Sequence, residues 1–347
     1  GRMSVVLAAV ELLLGAGLLL LPQLSVRLFA VVVAVYLTLL VTVEAVNAIL
    51  YGRMRRWGAF FPAMAAAVGG TGLFVLIVFV PALRDDALRY TTALLLTVFG
   101  TGLVCDVLAL TIRSRRVRRV LGSIRVALPD LMSLFLPQRT ADVLPRAPLG
   151  PVPQQGTEEF ELLFQTSAHG IGLVGHCELC FDGRTLTYGA YDPVHQRLLR
   201  TAGAGIVFSA PREPYLRWCI GTHHRRVISY SLHLPPAQAV QLRAELERFR
   251  QTLSPWQPEA LPEDCFAGRL HRLGGVRFWR VQRGPYATYF IPTINCVSLT
   301  NKLLEKTDIG RTVMLGLKTP GAYLDLLERE YLAGNPAVTA RRVYDKI

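Results

Sequence analysis

Four long apolar runs occupy the first third of the chain. They cover residues 4–21, 28–50, 57–80 and 93–112, and each contains at most one charged side chain. Each run is long enough to cross a hydrocarbon core of about 30 Å as an α-helix. The pattern therefore predicts a membrane α-helical bundle of about four spans. The first run also has the length of a signal peptide, but another span follows it almost at once, which favours a retained helix.

Three acidic residues lie inside these runs, namely Glu11, Glu44 and Asp106. Ionised side chains are costly in lipid and usually face a partner or water. Glu44 and Asp106 lie within about two turns of their helix ends, so they can reach the interface. Glu11 is nearer to the middle of its run, and it is the candidate for an intramembrane headgroup or proton site.

The placement of arginine predicts the orientation of the bundle. The loop after the second run carries Arg53, Arg55 and Arg56, and residues 113–125 carry six more arginines. Short loops rich in basic residues stay in the cytoplasm, so a multi-pass protein of a bacterial-type inner membrane with a cytoplasmic C-terminal domain is expected. The basic clusters adjoin apolar runs, which favours contact with anionic lipid over nucleic acid.

A change of composition separates the bundle from a second domain. Residues 136–156 contain five prolines and two glycines, which exclude a helix or a central strand. Residues 120–137 are apolar enough to lie in the membrane interface. We therefore predict a transmembrane domain over 1–119, an interfacial segment with a proline-rich linker over 120–157, and an α+β domain over 158–347.

Period-two alternation predicts the strands of the second domain. It predicts a hairpin of 176–181 and 184–188 closed by Asp182-Gly183, and a strand over 227–234. Pro236 opens a helix with an apolar stripe, and a second helix covers about 297–305. The stripe consists of Leu242, Leu246, Phe249 and Leu253.

The candidate chemistry lies at Cys296 and a histidine. A cysteine in the first turn of a helix receives the positive end of the helix dipole and free backbone N–H groups, which favour a thiolate and can hold an oxyanion. Asn295 is the expected helix cap. The base must come from elsewhere in the sequence; His176, which opens a strand, and His169 are the alternatives.

A resemblance favours His176. Residues 175–192 read Gly-His-Cys-Glu-Leu-Cys-Phe-Asp-Gly-Arg-Thr-Leu-Thr-Tyr-Gly-Ala-Tyr-Asp. This segment resembles the histidine region of circularly permuted NlpC-like, papain-type thiol enzymes, and most of all the periplasmic domain of Lnb-type lipoprotein N-acyltransferases. The likeness continues through residues 232–238 and ends at Asn295-Cys296. The membrane part is faintly similar to HdeD-like proteins.

The resemblance implies a permuted papain-like fold with Cys296 as nucleophile and His176 as base. The orienting or oxyanion residue stays open, and the candidates are Tyr188, Asp192, His195 and Asn295. The implied activity moves a phospholipid acyl chain through a Cys296 thioester to an amine or hydroxyl, such as a lipoprotein N-terminus. In that family the thiol domain is periplasmic and precedes the spans, whereas arginine placement here predicts a cytoplasmic domain after them.

Two further classes of protein fit the same residues. A membrane-tethered cysteine peptidase or amidase would use the same pair with water as acceptor, and a non-catalytic membrane module would bury Cys296. Cys177 and Cys180 point to opposite faces of one strand, so no metal site is predicted. Cys219 and Cys265 could pair only outside the cytoplasm. No P-loop or dinucleotide motif is present, and no cofactor is predicted.

Overall fold

A computed structural model describes residues 22–53, 55–90, 125–126, 159–166, 175–198, 200–257, 265–307, 314–315, 319–332 and 334–345, with isolated positions 93, 97, 101 and 104. The chain divides into two compact units, Gly1–Thr101 and Gly102–Ile347. Glu11, Asp106, His169, the first apolar run, most of the fourth and the proline-rich linker lie outside the described residues.

Two long helices dominate the N-terminal unit, α1 over Pro22–Arg53 and α2 over Trp57–Phe79. They coincide with the second and third apolar runs. By length and composition, Arg27–Arg53 and Trp57–Phe79 are long and apolar enough to cross a membrane. About half of their large apolar side chains, such as Val31, Leu39 and Phe61, are exposed, a pattern expected of helices that face lipid rather than a protein core.

Small residues let α1 and α2 approach closely. Ala63 and Ala67 are buried, and a Cβ added to Gly70 would lie 2.8 Å from Cγ2 of Val41 in α1. Residues 81–90 form a further helix where the sequence predicted a loop. In it, Arg84 donates to the carbonyls of Ile77 at 2.7 Å and Val78 at 3.2 Å, which satisfies the C-terminal end of α2.

The C-terminal unit mixes α-helices with antiparallel strands. Its strands, in chain order, are β1 Arg125–Val126, β2 Glu159–Thr166, β3 His176–Phe181, β4 Arg184–Gly189, β5 Ala202–Ala204, β6 Ile206–Pro211, β7 Arg226–His233, β8 Leu253–Pro255, β9 Arg277–Val281, β10 Thr288–Phe290, β11 Met314–Leu315 and β12 Val338–Tyr344. Its helices are α3 Arg212–Gly221, α4 Pro236–Arg250, α5 Phe266–His271, α6 Cys296–Leu303 and α7 Pro320–Leu332.

One antiparallel sheet of eight strands carries the unit, in the order β12-β7-β2-β3-β4-β6-β9-β8. Each face has its own apolar core. Phe160, Leu162 and Phe164 of β2 pack with α4, α6 and α7, while Leu163 of the same strand packs with α3 and α5 on the other face. The sheet therefore separates two helical layers, and the central strands β2, β3 and β4 are covered on both sides.

Local sequence signals account for the elements around the site. Asp182 and Gly183 have φ values of 49° and 70°, so the β3–β4 turn has the left-handed geometry that Asp-Gly favours. Helix α4 begins at Pro236 as predicted. It ends at Arg250, so Leu253 lies in β8 and does not belong to the helical stripe.

A small part of the predicted interfacial segment is described. Arg125 and Val126 form β1, which pairs in parallel with Met314–Leu315. These two residues are thus hydrogen-bonded within the C-terminal unit. The eight-stranded sheet starts at Glu159, next to the expected domain start at residue 158.

Candidate active site

A capping box places Cys296 at the first position of α6. The Asn295 side chain accepts from the N–H of Ser298 at 3.0 Å, and the N–H of Asn295 donates to the Ser298 hydroxyl at 2.9 Å. Asn295 Nδ2 also donates to the carbonyl of Ile291 at 2.7 Å. These bonds hold the start of the helix, so Asn295 is the helix cap that the sequence predicted.

The sulfur of Cys296 is buried against the beginning of β3. Its Sγ accepts a hydrogen bond from the N–H of Cys177 at 3.4 Å. Burial raises the pKa of the Cys296 thiol to about 11, while backbone N–H groups of Cys177 and Val297 lower it in part. The helix start thus acts in the expected direction, but burial outweighs it and keeps the resting thiol neutral.

His176 lies directly beside that sulfur along the backbone. The peptide group that donates to Cys296 Sγ joins His176 to Cys177, so the His176 backbone adjoins the sulfur at one end of β3. The Cys296 side chain packs in the same core as Cys177, whereas strand alternation turns His176 to the other face, with Glu178 and Cys180. Burial, followed by the charge of Arg225, lowers the pKa of His176 to about 3. Among the described residues, no hydrogen bond links Cys296 Sγ to the His176 ring.

Tyr191 holds the ring of His176. Its hydroxyl lies 3.1 Å from His176 Nε2. With the ring proton on Nε2, the imidazole donates to Tyr191 and leaves Nδ1, which has no hydrogen-bond partner within the described part of the chain, as the basic nitrogen. The Tyr191 ring stacks on Phe266 with centroids 5.1 Å apart. A Cβ on Gly189 would come within 2.7 Å of the Tyr191 ring, so this glycine makes room for it.

The other predicted site residues form hydrogen bonds with groups other than His176. The Tyr188 hydroxyl donates to the carbonyls of Tyr286 at 2.9 Å and Thr288 at 3.2 Å, which fixes the chain leading to Tyr289. Asp192 accepts from the N–H of Val194, from His195 Nδ1 at 2.7 Å and from Arg280. Asp192 therefore bonds to His195 and Arg280, and within the described residues neither Asp192 nor His195 bonds to His176.

A buried glutamate lies on the His176 face of β3. Burial raises the pKa of Glu178 to about 7, and the hydroxyl of Tyr215 donates to its Oε1 at 2.7 Å. Its Oε2 is buried and has no hydrogen-bond partner in the described structure. Glu178 was not among the site residues predicted from the sequence. Tyr191 was also missed, although it belongs to the quoted Tyr-Gly-Ala-Tyr motif.

The remaining cysteines show no further chemistry in the described residues. Cys177 and Cys180 belong to the cores on opposite faces of the sheet, as the strand pattern predicted. Cys219 and Cys265 are free thiols. Within the described ranges, no group of three or more His, Cys, Asp or Glu side chains could hold a metal ion.

Comparisons with family models, characterised proteins and solved structures found no match to this chain.

We predict that alkylation of Cys296 in the resting protein accelerates steadily as the pH rises. With a thiol pKa of about 11, the thiolate fraction grows about tenfold per pH unit below that value. The measurement is the rate of iodoacetamide labelling at each cysteine, read by mass spectrometry, with the partly exposed Cys265 as reference. A rate plateau from about pH 5 to pH 8, as given by a preformed thiolate–imidazolium pair, would contradict the neutral resting pair.

Proposed function

We propose that this protein is a membrane-anchored Cys/His acyltransferase. It would move an acyl chain from a phospholipid, through a thioester on Cys296, to an amine or hydroxyl such as a lipoprotein N-terminus. The observation that supports this most directly is the position of Cys296. Its sulfur lies at a helix start, on the peptide N–H that follows His176. A permuted papain-like fold is part of the proposal, and a cysteine-bearing helix packed on an antiparallel sheet is compatible with it.

The two half-reactions require one nucleophile and one proton carrier. In the proposed first step, Cys296 Sγ attacks the ester carbonyl while His176 Nδ1 takes the thiol proton across the end of β3. The leaving alcohol receives that proton as the tetrahedral intermediate collapses. The acceptor amine then attacks the thioester and releases Cys296. The neutral resting pair favours proton transfer during the attack rather than before it. The N–H of Cys296, at the first position of α6, is a donor available to the oxyanion.

An apolar surround supports transfer rather than hydrolysis. Ile294 and Val297, the apolar chain neighbours of the nucleophile, are buried, and such a pocket keeps water from a thioester. Tyr289 is buried as well, and its side chain hydrogen-bonds to Cys296. Drawing an acyl chain into water costs about 0.8 kcal/mol per CH₂ group. Catalysis on lipid therefore needs a membrane anchor, for which α1 and α2 are candidates, within a proposed bundle of four spans.

The side of the membrane is part of the proposal. Arg53 ends α1, and Arg55 and Arg56 lie in the loop between α1 and α2. Loops rich in basic residues lie mostly in the cytoplasm, which favours a cytoplasmic C-terminal domain. The family resemblance favours the periplasm instead. A membrane-impermeant thiol reagent applied to intact cells should leave the domain unlabelled, and rapid labelling of Cys265 would reverse the assignment.

The activity test uses the full chain in phosphate-free detergent with a phospholipid and an amine-bearing lipopeptide. We expect release of lysophospholipid together with acylated lipopeptide, both of which require Cys296. Cys296-dependent cleavage of a peptide or isopeptide without acyl transfer would replace the proposal with the peptidase or amidase. The absence of both activities would indicate a non-catalytic module. The raised pKa of the Cys296 thiol would then explain why the cysteine is unreactive.

Replacing Tyr191 with phenylalanine should lower kcat about 10- to 100-fold and leave the fold intact. The phenylalanine ring keeps the stacking on Phe266, but His176 Nε2 loses its partner and the ring can rotate. Because Tyr191 acts through His176, the pH dependence of kcat should shift while KM changes little. Tyr323→Phe, which removes a buried hydroxyl that has no hydrogen-bond partner in the described structure, is the control. An unchanged pH profile in Tyr191→Phe would remove its positioning role.

A further inference from the structure

The side chain of Arg225 lies near His176, on the same face of the sheet. Gln165 of β2 is the residue directly opposite His176 in β3. Opposite residues of an antiparallel pair project to one face with Cβ atoms about 5 Å apart. Arg225, just before β7, donates from Nη1 to Gln165 Oε1 at 2.8 Å. The guanidinium of Arg225 therefore lies beside the ring of His176.

Aromatic rings connect this arginine to the candidate active site. Phe266, which stacks on Tyr191, has the Arg225 guanidinium 5.5 Å from its ring centroid. The ring of His223 lies 5.6 Å from Phe266 and 4.2 Å from Trp218. His223 Nε2 is buried and has no hydrogen-bond partner among the described residues. Arg225 and His223 thus contact the same ring, Phe266, as Tyr191, which is hydrogen-bonded to His176.

The charge of this patch is positive. Arg225 and His223 form no ion pair with a carboxylate in the described ranges, and His224 and Arg269 add basic groups at its exposed edge. Burial and the charges of Arg225, Arg269 and His224 lower the pKa of His223 to about 4. The charge of Arg225 partly offsets the rise in the pKa of Glu178. That carboxyl group is buried, however, and accepts a hydrogen bond from Tyr215.

We propose that Arg225 and His223 bind the phosphate of the acyl-donor phospholipid. This inference rests on the proposed function and adds the group by which the donor is recognised. A guanidinium offers paired N–H donors that match phosphate oxygens, and a neutral imidazole can donate from Nε2. The phosphate would lie on the His176 face of the sheet. The lipid would pass the end of β3 to bring its ester carbonyl to Cys296, which packs in the core of the other face. Soluble phosphate esters share this chemistry, so the test must separate the two sources.

The test measures binding in the absence of turnover. Full-length Cys296→Ser protein in dodecyl maltoside is titrated calorimetrically with dihexanoyl-phosphatidylglycerol, with dihexanoylglycerol and with glycerol 3-phosphate. We expect the phospholipid to bind at least about tenfold more tightly than either other probe. Arg225→Gln should remove this preference, Arg225→Lys should restore part of it, and the exposed Arg217→Gln, whose arginine pairs with Glu213, should not change it.

Three results would overturn the inference. They are equal binding of dihexanoylglycerol, binding of glycerol 3-phosphate as tight as that of the lipid, and an unchanged preference in both Arg225→Gln and His223→Gln. If Arg225→Gln does not fold, Arg225→Lys and His223→Gln decide. An Arg225-dependent phosphate preference without any acylation of the wild-type protein would leave this site standing and contradict the proposed function alone. Acylation that proceeds equally from phosphate-free esters would contradict this phosphate site and leave the proposed function standing.

Discussion

Cys296→Ala is expected to abolish acyl transfer, with a loss of at least about 10⁴-fold in turnover. His176→Ala should lose about 10²- to 10⁴-fold, because general-base removal of the thiol proton is lost. The double variant should be no worse than Cys296→Ala, since the two side chains act in one step. The lysophospholipid assay in detergent measures all three variants.

Cys180→Ala is the matched control for the nucleophile. Cys180 is a buried cysteine of β3, the strand that begins at His176, but it belongs to the core on the other face of the sheet. Its replacement should cost some stability and leave turnover near that of the wild type. Full activity in a folded Cys296→Ala protein would refute the thiol mechanism, whatever the effect of the histidine.

The largest effect on stability is expected from Gly205→Ala. A Cβ at this position would lie 2.0 Å from the carbonyl oxygen of Tyr286. The backbone has little freedom to move, because Gly205 donates to the carbonyl of Ala287 and accepts from the N–H of Val281, both at 2.9 Å. We expect a loss of about 3 kcal/mol or more in the free energy of unfolding, which corresponds to a fall in Tm of roughly 10 °C.

The same substitution should also disturb the site. The Tyr286 hydroxyl donates to the carbonyl of Ser298 in α6 at 3.0 Å, so displacement of Tyr286 moves the helix that begins at Cys296. Gly221→Ala is the control, because a Cβ there meets nothing within 4 Å, and its effect should stay within about 0.5 kcal/mol. Equal melting temperatures for the two variants would show that Gly205 does not need to be a glycine.

Local signals in the sequence predicted the elements that carry the candidate pair. Asp182-Gly183 demands a tight turn and so fixes the bounds of β3 and β4. Asn295 followed by Ser298 forms a capping box and so places Cys296 at the start of α6. Apolar length alone indicated α1 and α2. In each case the decisive signal lies within one continuous stretch of the chain.

The rest depends on contacts between distant parts of the chain. Tyr191 was not predicted as the partner of His176, because the strand pattern does not show which phenol reaches which ring. The pKa of Cys296 is a balance between helix start and burial, and burial requires knowledge of the packed core. Arg225 reaches Gln165 across sixty residues, a pairing that the spacing of neither residue indicates.

The most direct test is the intact mass of the protein after incubation with a dipalmitoyl phospholipid and no acceptor. We expect a gain of one palmitoyl group, mapped to Cys296, released by neutral hydroxylamine and absent from Cys296→Ala. The adduct should disappear when an amine-bearing lipopeptide is added, as the acyl group appears on the peptide. An unmodified Cys296 after exposure to phosphatidylglycerol, phosphatidylethanolamine and cardiolipin would contradict the account.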